Sequence, residues 1–112
     1  MSLRVALGIL LLAALLEASG DALVRSGLHA QGLASRVAFF ALGAVTLFAY
    51  GYVVNTPPWD FGRLLGVYVV FFFVIAQLIG WIFFHQRPSG AVLLGGAFMV
   101  AGGAIISFAS LR

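Results

Sequence analysis

Four apolar segments, each close to the length of a membrane-spanning helix, take up most of this chain. A helix needs about 20 residues to cross the hydrocarbon core at 1.5 Å per residue. Hydrophobic residues make up 63% of the sequence and charged residues 8%, an apolar content that a soluble domain of 112 residues could not bury. We therefore predict an all-α membrane protein with one four-helix transmembrane domain over residues 1–112. The predicted helices are Val5–Val24, Val37–Val54, Leu64–Phe84 and Ala91–Leu111.

Short polar breaks separate these segments. The Pro57–Pro58 pair disfavours helix before it and so marks a firm boundary. Arg4, the apolar run after it and Ala18-Ser19-Gly20 resemble a secretory signal peptide, but we expect this segment to be retained as a helix. Amphipathic rings favour the membrane interface, and four lie near predicted helix ends: Tyr50, Tyr52, Trp59 and Trp81.

The arginines are balanced between the two sides of the predicted bundle, and the chain has no lysine. Positive charge normally marks the cytoplasmic side, so this balance predicts no preferred orientation. One interpretation is chance parity in a protein with few charges. The other is dual topology, in which copies insert both ways and pair antiparallel. The two sets are Arg4, Arg63 and Arg112 on one side, and Arg25, Arg36 and Arg87 on the other.

Glu17 is the most deeply placed acidic residue of the chain. It lies twelve residues after Val5, about 18 Å along a helix. An ionised carboxylate at that depth costs on the order of several kcal/mol, so such residues usually face a partner or a water-filled cavity. Burial also lets a carboxylic acid exchange protons near neutral pH. We predict that Glu17 binds protons and a cation, the alternative being a carboxyl group that is merely buried.

Asp21 and Arg25 follow Glu17 at four-residue steps, so the three residues share one helix face. Small residues on that face, among them Ala14 and Gly20, allow another helix or a ligand to approach closely. For Asp21 we favour a structural interpretation, in which Arg25 neutralises it near the interface.

Gln77 is the polar residue within the third segment and needs a hydrogen-bonding partner, which Glu17 could provide. Aromatic residues around it suggest a site where Tyr68, Phe73 or Trp81 contacts an organic cation. The alternative is an aromatic-rich helix that faces lipid.

The fourth segment carries two glycine pairs seven residues apart, Gly95–Gly96 and Gly102–Gly103. Seven residues are about two helical turns, so these glycines form a groove on one face. The groove can pack against another copy of the chain or against a helix of the same bundle.

The sequence contains no clear motif for metal binding, nucleic-acid binding or catalysis. The chain has no cysteine, and His29 and His85, both expected in loops, are weak evidence for a metal. The arginines form no basic cluster for nucleic acid, and no nucleophile–base pair or phosphate loop is evident. We expect neither an enzyme nor a protein with a cofactor.

Three stretches of the chain resemble the small multidrug resistance family of bacterial transporters, within the drug/metabolite transporter superfamily. Glu17-x-x-Gly20-x-x-x-x-Arg25 is similar to that family's membrane glutamate, glycine and basic residue. The stretch 81–87 (WIFFHQR) resembles its Trp-Gly-Phe-Phe-Gly-Gln-Arg. Gly95 and Gly102 resemble its seven-residue dimerisation motif. The resemblance covers nearly the whole chain in length and layout.

The resemblance implies an antiparallel homodimer, or a pair with a paralogue, in the bacterial inner membrane. Two copies of Glu17 would face one chamber and exchange protons for a small cationic substrate by alternating access. Glu17, Gln77, Tyr68 and Trp81 are the expected substrate and proton site, and Gly95 and Gly102 the expected dimer interface.

The third segment departs from the family's multidrug members. Leu65 and Tyr68 stand at their tyrosine and tryptophan positions, and Val70 replaces their kink glycine; Asp21 and Arg63 are additions. The sequence therefore predicts a divergent member. Two alternatives stay open: a non-transporting subunit that packs through Gly95 and Gly102, and a transporter of a lipid-linked or neutral metabolite held by Glu17 and Gln77.

Overall fold

The computed structural model describes residues 1–109 and consists there of four helices joined by short loops. The helices are α1 (Leu3–His29), α2 (Leu33–Val54), α3 (Phe61–Phe84) and α4 (Gly90–Ala109). Each is long and apolar enough to cross a membrane. The predicted all-α fold with four transmembrane helices is confirmed.

The first helix is longer at its C-terminal end than the sequence indicated. It continues five residues beyond Val24, so His29 is its last residue rather than part of a loop. Gly27 does not break the helix because it is buried against α2, where a Cβ would lie 2.7 Å from Phe40 Cδ1. The predicted end of the fourth helix, Leu111, lies outside the described residues.

Local contacts define several helix ends. Ser2 caps α1, its Oγ accepting a hydrogen bond from the Val5 N–H at 3.2 Å. At the end of α3, His85 adopts a left-handed conformation with φ of 56°, and the Gln86 N–H donates to the Gly80 carbonyl at 3.0 Å. This closing turn satisfies a carbonyl that the helix end would leave unpaired.

Helix α1 packs against both α2 and α3, and α3 packs in turn against α4. Helices α1 and α2 approach each other closely at a pair of glycines, Gly20 and Gly43. A Cβ built on Gly43 would lie 3.2 Å from the Gly20 carbonyl oxygen and 2.8 Å from Val24 Cγ2. Residues without a side chain let the two backbones meet here.

The buried core lies where α1, the end of α2 and the start of α3 meet. Most other large apolar side chains point outward; Phe48, for example, is 77% exposed. An outward apolar surface suits helices surrounded by lipid, which gives no reason to bury such side chains inside the bundle. The core residues are Leu10, Ala13, Ala14, Val54, Leu64, Val67 and Tyr68.

Candidate functional site

Glu17 and Tyr68 form a hydrogen bond between α1 and α3. The Tyr68 hydroxyl donates to Glu17 Oε1 at 2.6 Å. Tyr68 is buried, at 4% exposure, and belongs to the core cluster. Ala13 and Ala14, one turn before Glu17, are fully buried, so small side chains bring α3 close to this face of α1. Glu17, expected to face a partner or a water-filled cavity, contacts Tyr68 of α3.

Tyr50 of α2 extends this site to a third helix. Its ring centroid lies 5.5 Å from that of Tyr68, and the Phe72 centroid lies 6.3 Å from Tyr68 on α3. These separations are typical of interacting aromatic pairs. The sequence placed Tyr50 at the membrane interface, and the structure places it beside the site. Tyr50 lies one turn from Val54 and shares its helix face, but the burial of that face is known only from the structure.

A cavity of about 250 Å³ opens between α1 and α3 beside this hydrogen bond. Phe72 lines the cavity and also stacks near Tyr68, so the two features adjoin. The polar residues of the lining are Asp21, Arg25 and Gln86, all toward the end of the bundle where α1 and α3 finish. The carboxylate site therefore has a partly polar cavity next to it on one side.

Arg25 does not take the position expected for it. Its guanidinium carbon lies 5.4 Å from the centroid of the Phe84 ring, a cation–π arrangement across the cavity from α1 to α3. The sequence favoured a pairing of Arg25 with Asp21, but the guanidinium lies on the aromatic ring instead. Asp21 itself is exposed in the protomer.

Gln77 and Trp81 lie at a different place from Glu17. Both line a second cavity of about 230 Å³ on the α4 side of α3. Gln77 follows Tyr68 by nine residues, about two and a half helical turns, so the two side chains leave α3 on opposite sides. The partner of Glu17 is thus Tyr68 rather than Gln77. Of the four residues expected to bind substrate and protons, the structure brings Glu17 and Tyr68 together and groups Gln77 with Trp81.

The glycine pairs of α4 divide between an inner and an outer face. Gly96 and Gly103 are buried against α3, where a Cβ on Gly103 would lie 2.5 Å from Val70 Cγ2. Gly95 and Gly102 have no atom near the position of a Cβ. The pair expected at a dimer interface is therefore open within the protomer.

Charged groups are few, which simplifies the electrostatics of the site. The chain has three carboxylate side chains, and the third, Asp60, lies outside the helices at the start of α3. In residues 1–109 no group of three or more His, Cys, Asp or Glu side chains is placed to hold a metal ion. Glu17 and Asp21 are accordingly the acidic groups within the transmembrane helices described.

Comparison with known proteins finds a relative in Herpetosiphon aurantiacus, a UPF0060 membrane protein that is 34% identical over 100 residues. The match covers 88% of this chain and 88% of the relative. No protein-family model matches the chain, and no solved structure matches it. Four apolar helices and this relative together identify an integral membrane protein. At this identity and coverage, the chain belongs to the UPF0060 family of membrane proteins.

Proposed function

We propose that this protein is a proton-coupled membrane transporter that exports small organic cations, with Glu17 as the shared binding group. The observation that carries the proposal is the Glu17–Tyr68 hydrogen bond, which lies inside the membrane-spanning bundle beside a cavity of about 250 Å³. A carboxylate in this position is costly unless a proton or a cation neutralises it. Because one carboxylate binds either a proton or a cation but not both, the movement of the cation is coupled to the movement of the proton.

The surrounding side chains suit an organic cation. Tyr50 and Phe72 lie beside Tyr68, whose hydroxyl bonds to Glu17, and aromatic ring faces attract desolvated cations by about 2 kcal/mol or more. The Tyr68 hydroxyl satisfies one oxygen of Glu17 while no cation is bound. Binding of a proton on one side of the membrane then releases the cation, and alternating access carries the site to the other side.

A second copy of the chain, or a paralogue, is the proposed partner. Gly95 and Gly102 leave an open strip on α4, and small residues allow close helix packing in lipid. The balanced arginines are compatible with an antiparallel pair in the bacterial inner membrane, in which two Glu17 side chains face one chamber. The alternative site for a neutral metabolite loses support, because Gln77 lies on the other side of α3 from Tyr68.

Proton flux in liposomes tests the proposal. Purified protein is reconstituted, a proton gradient is imposed, and uptake of guanidinium, tetramethylammonium and tetraphenylphosphonium is measured. We expect gradient-driven uptake of at least one cation, loss of that uptake in Glu17→Gln, and its retention in Asp60→Asn. Asp60 is the matched control because it carries the same charge outside the helices. Uptake that survives Glu17→Gln, or its absence with all three cations, would overturn the proposal.

A further inference from the structure

Asp21 lies in the cavity next to the Glu17 site, and the proposed function leaves it without a role. We infer that Asp21 is a further cation-binding residue of the transporter: it holds the cation in the cavity between α1 and α3 before the cation reaches Glu17. This inference rests on the proposed function. It adds a second contact point, placed between Glu17 and one end of the bundle.

The position of Asp21 along α1 supports this role. It follows Glu17 by four residues, one turn on the same helix face and about 6 Å farther along the axis. It lines the cavity of about 250 Å³, and Phe72, whose ring centroid lies 6.3 Å from that of Tyr68, lines the same cavity. A cation held in this cavity at Asp21 would therefore lie one turn of α1 from Glu17.

The charges around the cavity leave this carboxylate available. Arg25 is the cation nearest to Asp21 along α1, and its guanidinium lies over Phe84. The third polar residue of the lining, Gln86, is neutral. A carboxylate that lines a cavity between membrane helices is stabilised by a positive charge, and a ligand in the cavity can supply that charge.

The two carboxylates would then contribute differently to transport. Glu17 exchanges its cation for a proton and sets the coupling, whereas Asp21 stabilises the cation during capture. Loss of the Asp21 charge should weaken apparent binding and leave turnover intact. Loss of the Glu17 charge should abolish proton-coupled uptake.

Initial rates of uptake in liposomes separate these roles. The substrate is whichever of guanidinium, tetramethylammonium and tetraphenylphosphonium the wild-type protein transports fastest. For Asp21→Asn we expect KM to rise roughly tenfold, equivalent to about 1.4 kcal/mol, with kcat within about twofold of the wild type. Asp21→Glu, which keeps the charge, should restore most of the affinity, and Asp60→Asn should leave KM unchanged. An unchanged KM in Asp21→Asn, or a fall in kcat alone, would overturn the inference.

A second measurement keeps Asp21 in place. The chain has no cysteine, so Ala76→Cys puts a single thiol in the lining of the same cavity. We expect the transported cation to slow the labelling of this thiol by a methanethiosulfonate reagent. A labelling rate that the cation does not change would count against the inference. If Glu17→Gln abolishes uptake but Asp21→Asn leaves KM unchanged, this inference fails and the proposed function stands. If uptake survives Glu17→Gln, or if the wild type shows no uptake, the proposed function fails as well.

Discussion

Gly43→Ala should weaken the contact between α1 and α2, and the size of the effect follows from the structure. The new Cβ would lie 2.8 Å from Val24 Cγ2, against the 3.4 Å at which ordinary contact begins, so the Val24 side chain or the helix itself must shift by about 0.6 Å. The Gly20 carbonyl oxygen and the Val24 nitrogen, at 3.2 and 3.3 Å, are backbone atoms that no change of rotamer can move aside. Overpacking of this kind costs about 1–3 kcal/mol.

Gly51→Ala is the matched control for this substitution. Gly51 lies on the same helix, and no atom lies within 4 Å of the position of its Cβ. Alanine favours a helix over glycine by about 0.5–1 kcal/mol, and this gain applies to both variants. The difference between Gly43→Ala and Gly51→Ala is therefore the overpacking cost alone, about 1–3 kcal/mol.

Unfolding in mixed micelles of mild detergent and dodecyl sulfate, followed by circular dichroism, measures this difference. We expect Gly43→Ala to unfold at a lower dodecyl sulfate fraction than Gly51→Ala. Equal midpoints for the two variants would show that α1 and α2 do not approach each other at Gly43, and would refute the packing described for α1.

Three further predictions concern the site, a strained residue and the membrane orientation. Tyr68→Phe removes the hydrogen bond to Glu17 and should lower the free energy of unfolding by about 1.5–3 kcal/mol, whereas Tyr52→Phe, at an exposed tyrosine, should change it little; equal losses would contradict the pairing. His85→Gly relieves a φ of 56° and should raise the free energy of unfolding by about 0.5–1 kcal/mol, because the strain that is removed exceeds the entropy cost of ordering a glycine. A lower unfolding midpoint for this variant in the same micelle titration would contradict that strain. Ser89→Cys, in the loop between α3 and α4, should react in part from each side of sealed vesicles if copies insert both ways, and reaction from one side alone would exclude dual topology.

The helices could be predicted from sequence because their lengths are set by runs of apolar residues. The ends at Val54 and Phe84 agree with the structure, since polar and proline-containing breaks follow both. The end of α1 could not be predicted in the same way. Ser26 and Gly27 suggest a break when α1 is considered alone, but α2 packs against Gly27 and the helix continues past it. A contact between helices decides this boundary.

The site was predictable in part, for a related reason. The cost of a buried charge indicated that Glu17 faces a partner or a water-filled cavity, but the sequence of neither helix shows which residue of α3 lies opposite Glu17. That register brought Tyr68 to Glu17 and placed Gln77 on the far side. Helical periodicity grouped Asp21 with Arg25 but could not reveal that Phe84, from a different helix, attracts the guanidinium.

The glycines of α4 illustrate the same limit. Adjacent residues differ by about 100° around a helix, so the sequence offered two neighbouring strips and no means to choose between them. Packing against α3 uses Gly96 and Gly103 and leaves Gly95 and Gly102 open. The composition of a helix gives its small residues, whereas its neighbours decide which of them are buried.

The central claim is that a proton and a cation compete for Glu17, and proton release on cation binding tests it most directly. The purified protein is placed in weakly buffered detergent at a starting pH where Glu17 carries a proton. Guanidinium, tetramethylammonium or tetraphenylphosphonium is then added, and the change in pH is recorded. The account predicts release of protons by the wild type and by Asp60→Asn, and no release by Glu17→Gln. Cation binding without proton release in the wild type, or equal release in Glu17→Gln, would contradict it.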